Sequence, residues 1–275
     1  MTEPAAPTAT PTTAPLGRVA LLSLGCAKNL VDSERLVQSL GEAGFAMSDS
    51  LDGADLALVN TCGFIDPAKE ESIDTILKVT SHKEFGRLRG VIVAGCLVER
   101  YAAQLEEEIP EVDRWLPFGD YPQIADAART LMDLPQVRSL PPKRVVLTPR
   151  AYAYLKISEG CDQKCAFCAI PSFRGRLQSR SIEENVADAR SIAETGVGEI
   201  NIVSQDTTAY GRDRYGKPQL AKLLSELTKI DGPRWWRVLY LYPSILRDDV
   251  LDEMASNERI AKYVDMPLQH ISDDM

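Results

Sequence analysis

The chain has 275 residues, 44% hydrophobic and 26% charged, enough for two packed domains at the usual ~100–200 residues each. Its formal net charge of −9 argues against nucleic acid as a direct substrate, because phosphate binding needs a basic surface, and suits a basic protein partner. No apolar run approaches the about 20 residues that span a bilayer, and the opening MTEPAAPTATPTTAPLG lacks the basic and apolar regions of a secretory signal, so a cytoplasmic protein without a membrane partner is expected.

Residues 1–17, rich in Pro, Ala and Thr, read as a disordered tail. An α/β unit is expected over 18–132. The apolar runs RVALLSL (18–24), DLALVN (55–60) and GVIVAG (90–95) are short and β-branched, as buried parallel strands are. Between them, one helix is expected after Asp32, with Leu36, Val37 and Leu40 on one face and Gly44 as its stop. A second is expected to open with Asp66 as N-cap and Pro67 at the first helical position, and a third to cover 98–108. The pattern predicts a small open parallel sheet.

Residues 133–149 carry four prolines and read as a linker. A second α/β alternation occupies 150–275. AYLKIS (153–158), EINIVS (199–204), WWRVLYL (235–241) and the start of KYVDMPLQ (262–269) are expected strands. Ser181 and Glu184 form a capping box for a helix ending near Gly196, and 218–230 and 247–256 are expected to be helical. About four strands fall short of the about eight of a complete β/α barrel, so an incomplete array, cut short at its carboxyl end, is expected.

Six cysteines are present, and with no export signal metal binding or catalysis outranks disulfides. Cys26, Cys62 and Cys96 each follow an apolar strand, 36 and 34 positions apart, so three loops at one sheet end can bring three thiols together. Three thiolates on a cluster leave a site open for another ligand; buried core cysteines or a zinc site lacking an evident fourth ligand are the alternatives. The second group is GCDQKCAFC, in which Cys161, Cys165 and Cys168 are spaced C-x3-C-x2-C on the loop after the first strand of the second unit. That spacing wraps three thiolates around one corner of a four-iron cluster. No second C-x2-C knuckle follows for zinc, and no C-x3-C-P continuation for a ferredoxin.

The second motif resembles the hallmark of the radical S-adenosylmethionine superfamily, C-x3-C-x-aromatic-C, with Phe167 at the aromatic position. The resemblance implies a 4Fe-4S cluster whose free iron chelates S-adenosylmethionine, with Phe167 beside the adenine. Many members carry a GGE-like motif after the second strand. This chain has VSQDTTAYG there, leaving Gln205 and Asp206 as candidate contacts to S-adenosylmethionine. Arg174, Arg176 and Arg180 are further candidates for meeting a carboxylate.

A cysteine triad ahead of that motif is similar to the methylthiotransferases, through SLGCAKNLVDSE, NTCGFIDPAKEES, GCLVERY and ISEGCDQKCAFCAIPSFRGRLQSRS. The resemblance implies an auxiliary 4Fe-4S cluster on Cys26, Cys62 and Cys96 and a transferase that installs a methylthio group. SQDTTAYG, LYLYPS and MPLQHIS, with His270, look like the branch acting on an aspartate β-carbon of small-subunit ribosomal protein twelve. A low-potential flavodoxin or ferredoxin is the implied electron donor. A tRNA adenosine methylthiotransferase and a non-enzymatic iron–sulfur electron carrier remain as alternatives.

Overall fold

The structure, a computed structural model, describes residues 14–86, 88–135, 144–269 and 272–273. The tail residues 1–13, most of the expected linker (136–143) and His270 lie outside the described residues.

The first unit runs β1 (Arg18–Ser23), α1 (Ala27–Glu42), β2 (Ala46–Ser48), β3 (Leu56–Thr61), α2 (Asp66–Phe85), β4 (Gly90–Gly95), α3 (Cys96–Glu108), β5 (Arg114–Leu116) and α4 (Ile124–Leu131). Its strands form one parallel sheet in the order β2-β1-β3-β4-β5. Every residue of β3 and β4 is buried, which is why 56–59 and 90–95 read as apolar runs. Leu56 and Leu58 pack with Leu36, Leu40 and Ile124 on one face, and Ala57 and Val59 with Ile76, Val79 and Leu97 on the other.

The second unit runs β6 (Tyr152–Lys156), β7 (Ser158–Glu159), α5 (Ile170–Arg174), β8 (Gln178–Ser179), α6 (Ile182–Ala193), β9 (Glu199–Val203), α7 (Arg212–Tyr215), α8 (Leu220–Leu227), β10 (Trp235–Val238) and α9 (Asp248–Ser256). Parallel β6, β9 and β10 form a sheet in the order β10-β9-β6, while β7 and β8 pair antiparallel. Leu155, Ile200, Ile202, Trp236 and Val238 bury against Leu223, Leu224 and Leu227 of α8. The Ser181–Glu184 capping box is present, with Glu184 N–H donating to Ser181 Oγ at 3.1 Å and Ser181 N–H to Glu184 Oε2 at 2.6 Å.

Several boundaries differ from the sequence reading. α1 begins at Ala27, so Asp32 sits inside it, buried, instead of preceding it. Ile65, not Asp66, is the N-cap residue of α2; Asp66 lies in the first turn and pairs with Lys69 at 2.7 Å. Strands β2 and β5 and helix α4 are too short or too polar to announce themselves. The run 235–241 leaves the ladder after Val238 because Tyr240 takes a left-handed φ of 61° and turns its N–H to Asp265 Oδ2 at 2.8 Å. Residues 262–269 are not a strand. The chain makes one bridge just before it, Ile260 to Trp236, and Pro267 supplies no backbone donor to a ladder, so the described sheet has three strands and not four. Among the described residues, no helix is long and apolar enough to cross a membrane.

Leu58 is fully buried at the centre of the first sheet. Leu58→Ala is expected to lower the unfolding free energy by about 2–5 kcal/mol, read from the denaturant midpoint. A cost below half of that range would mean the two cores are looser than their packing indicates.

Candidate functional site

The three amino-terminal cysteines follow three adjacent strands. Cys26 is the N-cap of α1 after β1, Cys62 directly follows β3, and Cys96 is the first residue of α3 after β4. In a sheet of this order the crevice opens at the carboxyl ends of the strands, where the chain reverses direction between β1 and β3. The loops are in contact: a Cβ added at Gly25 would lie 3.0 Å from Cys62 Sγ, and one at Gly63 2.8 Å from the Leu97 backbone. Asn29 ties the ends together, its amide donating to the carbonyls of Leu24 at 2.7 Å, Asn60 at 3.3 Å and Thr61 at 3.2 Å. The Ser72 hydroxyl accepts from Cys62 N–H at 3.0 Å. Cys62 and Cys96 are buried and Cys26 is exposed. Burial pushes the Cys96 thiol up, against the pull of the Arg174 guanidinium.

The second group lies on the loop from β7 to α5. Cys161 N–H bonds to Gly175 O at 3.0 Å and Cys168 N–H to Cys165 O at 3.1 Å. Gln163 N–H points at Cys161 Sγ from 3.4 Å, and Cys165 Sγ stands 4.0 Å from the Tyr242 hydroxyl. The loop needs Gly160: its φ is +70°, and a Cβ there would lie 2.0 Å from Arg176 O. Burial raises the Cys161 thiol, with Gln163 N–H opposing it.

Among the described residues, no three or more His, Cys, Asp or Glu side chains converge on the position of one metal ion. Soft thiolates suit iron–sulfur ligation. Both cysteine groups fit that donor chemistry.

Phe167 is 74% exposed on the second cysteine loop. Gln205 donates to Glu159 Oε1 at 2.7 Å, and its own carbonyl oxygen is buried without a hydrogen-bond partner among the described residues. Asp206 is buried, accepts from Gln163 Nε2 at 2.8 Å and caps the turn at Ala209 N at 3.2 Å, and burial raises its carboxyl. Gln163 thus joins Asp206 to the cysteine loop. Arg176 is exposed and pairs with Asp162 at 3.3 Å, while Arg180 pairs with Asp188 at 2.6 Å.

Arg174, the last residue of α5, is buried and bridges the two units. Its guanidinium bonds Asp32 of α1 at 2.7 Å, Glu159 at 3.2 Å and Asn29 at 3.4 Å, and donates to Cys96 Sγ at 3.0 Å. It also stacks 4.1 Å from the Phe118 ring. Lys156 of β6 completes the cluster, pairing with Asp32 and with Glu159 at 2.6 Å. Lys28, Asn29, Asp32, Lys156, Glu159, Tyr240 and Tyr242 were not expected at the site. The signal that could have found some of them is the polar run Asn29, Asp32, Ser33, Glu34 in a helix otherwise patterned for burial.

Burial alone would raise Asp32 and Glu159, but Lys156 and Arg174 beside them hold both below the ordinary carboxylate range. A depressed folded-state value gives stability that is present above the unfolded pKa, about 4, and is lost as pH falls through the folded value. Acidification is therefore expected to destabilise the protein, and Asp32→Asn to flatten that acid limb in thermal melts taken against pH. Asp32→Ala, which leaves two buried cations short of a partner, is expected to cost about 3–5 kcal/mol. An unchanged melting point would show that the units are held together elsewhere.

Comparison with known proteins agrees with this architecture. Residues 18–117 match the family described as Uncharacterized protein family UPF0004, and residues 155–275 match the Radical SAM superfamily. The chain is 49% identical over 257 residues to the ribosomal protein uS12 methylthiotransferase RimO of Aquifex aeolicus, covering 93% of this chain and 57% of that protein. It is 45% identical over 262 residues to the protein of that name from Symbiobacterium thermophilum, covering 92% and 54%. The chain therefore spans a little over half the length of these curated relatives. Among solved structures, the radical S-adenosylmethionine methyltransferase TsrM from Kitasatospora setae, with tryptophan substrate and an S-adenosylmethionine analogue bound, superposes with a TM-score of 0.64 at 15% identity, covering 94% of this chain and 60% of TsrM. At that identity the likeness shows the fold. The chain thus pairs a unit matching UPF0004 with one matching the Radical SAM superfamily, and along most of its own length it is similar to the RimO-type methylthiotransferases.

Proposed function

We propose that the chain forms the cluster-bearing part of a methylthiotransferase that modifies the β-carbon of an aspartate in small-subunit ribosomal protein twelve. The observation carrying this reading is the pairing of two separate thiol triads, each at the carboxyl end of a parallel sheet, through one buried arginine that touches Cys96 and leaves the loop of Cys161, Cys165 and Cys168. Sequence identity to curated RimO proteins along nearly the whole chain supports the substrate.

In this reading residues 18–132 and 150–275 are the two domains. Cys161, Cys165 and Cys168 hold one 4Fe-4S cluster with S-adenosylmethionine at its open iron, and Cys26, Cys62 and Cys96 hold a second. When bound, these groups would supply radical formation and sulfur delivery. The protein's own residues do the positioning. Gly160 shapes the cysteine loop, Gln163 and Asp206 brace it, and the unpaired carbonyl of Gln205 is an acceptor for a polar group such as the amino group of S-adenosylmethionine. Exposed Phe167 offers an apolar face to the adenine. Arg174 and Lys156, held by Asp32 and Glu159, keep the two cysteine groups facing one another. A flavodoxin or ferredoxin would supply electrons, in the cytoplasm.

Mass spectrometry of ribosomal protein twelve after incubation with the full-length reconstituted enzyme should show a methylthio group on one aspartate. Gain of the group on tRNA instead would assign the tRNA-modifying alternative. Iron analysis should give about eight irons per chain, since each triad holds about four. Replacing Cys161, Cys165 and Cys168 together by Ala should remove about half of them and abolish cleavage of S-adenosylmethionine. Replacing Cys26, Cys62 and Cys96 should remove the other half, keep cleavage and abolish methylthio transfer. A single zinc without labile sulfide would overturn the reading.

A further inference from the structure

Lys28 follows Cys26 by two residues, at the start of α1, and its ammonium sits over the ring of Tyr240 from the other unit, 3.3 Å from the ring centroid. Both residues are half-buried. Tyr240 is held there by its left-handed turn, with its N–H on Asp265 Oδ2 at 2.8 Å and its carbonyl accepting from Thr207 N–H at 3.0 Å. Two residues on, Tyr242 N–H donates to Thr208 Oγ1 at 2.7 Å and its hydroxyl stands 4.0 Å from Cys165 Sγ. Lys28 is thus tied to one cysteine group by sequence and to the other through Tyr240 and Tyr242.

Among the described residues, Lys28 has no carboxylate within ion-pair distance. The two that it feels electrostatically, Glu159 and Asp265, are engaged elsewhere: Glu159 by Lys156, Arg174 and Gln205, and Asp265 by the backbone of Tyr240. The buried cations of the neighbouring ion cluster, Lys156 and Arg174, are already paired. A part-buried ammonium preorganised on an aromatic face, whose anionic neighbours are the Cys26 sulfur and two carboxylates engaged elsewhere, is a ready carboxylate receptor.

We infer that Lys28, seated on Tyr240, is the binding site for the side-chain carboxylate of the acceptor aspartate. The inference rests on the function proposed above and names a specificity-determining residue for it. The chemistry favours this place. The β-carbon of aspartate carries the carboxylate directly, so fixing the carboxylate fixes the reacting carbon. That carbon must be reached both from the S-adenosylmethionine side and from the sulfur-delivering side, and Lys28 is linked to both cysteine groups. The α-carboxylate of S-adenosylmethionine is the other source of the same chemistry, and the test separates the two.

The experiment uses the full-length, reconstituted enzyme with a fluorescently labelled peptide of ribosomal protein twelve containing the acceptor aspartate, and the same peptide with asparagine in its place. Wild type should bind the aspartate peptide at least about tenfold more tightly than the asparagine peptide, the weight of one charge-assisted hydrogen bond. Lys28→Met should reduce that ratio to near one by weakening only the aspartate peptide, and Lys28→Arg should restore part of it. Because the ratio is internal to each preparation, partial loss of folded or iron-loaded protein does not blur it. A Lys28→Met variant that keeps the wild-type ratio overturns the inference, as does one that weakens both peptides equally or raises only the KM for S-adenosylmethionine. A wild-type enzyme that neither binds nor modifies the aspartate peptide overturns the proposed function itself, a result distinct from the others.

Discussion

Two cations and two carboxylates share one buried pocket where α1 meets the second sheet. Asp32 receives both Lys156 and Arg174, and Glu159 receives the same pair from the other side. Isolated, any of these charges would be expelled to water or neutralised; together they compensate one another and leave few groups uncommitted. A buried pair is weak ground for stability but strong ground for geometry, because its directional bonds tolerate only a narrow range of positions. Here the partners come from α1, β6, β7 and α5, so satisfying the cluster sets how one sheet end faces the other. A second set of pairs, Arg144 with Glu34 at 2.9 Å and Asp188 at 3.0 Å, and Arg180 with Asp188, fastens the opposite flank of α1.

The same constraint organises the chemistry. Arg174 sits six residues past Cys168 and reaches Cys96, so the loop carrying one cysteine group ends in the contact that steadies the other. A guanidinium donating to a sulfur draws negative charge from it, and any thiolate-bound group on Cys96 would feel that pull. Burial acts the other way on Cys96. The opposition resolves once the thiolate is engaged, since ligation removes the penalty that burial places on a free anion.

Much of this was legible in the residues. Short apolar runs placed β1, β3 and β4, and with them the positions of Cys26, Cys62 and Cys96, because strands covered on both faces lack the alternation of half-exposed ones. The Ser181–Glu184 box located the start of α6, a local hydrogen-bond exchange needing no tertiary context. What escaped depends on contacts between distant segments. Asp32, Lys156 and Arg174 look like ordinary surface charges until α1 is laid against β6 and α5, and the polar run from Asn29 to Glu34 makes sense only as a face buried against the other unit. The end of β10 escaped because Tyr240 takes a left-handed conformation enforced by Asp265, a residue 25 positions away. Residues 262–269 look like a strand by composition yet lack both a partner ladder and, at Pro267, a donor.

The central claim is that the buried ion cluster fixes the relative placement of the two cysteine groups proposed to hold iron–sulfur clusters. Electron paramagnetic resonance of the fully reduced, full-length enzyme tests it most directly. The account predicts a spectrum broadened by magnetic interaction between two paramagnetic centres, unequal to the sum of the spectra of variants that keep only one cysteine triad, and weakened towards that sum by Asp32→Ala. A wild-type spectrum equal to the simple sum, or one unchanged by Asp32→Ala, would contradict it.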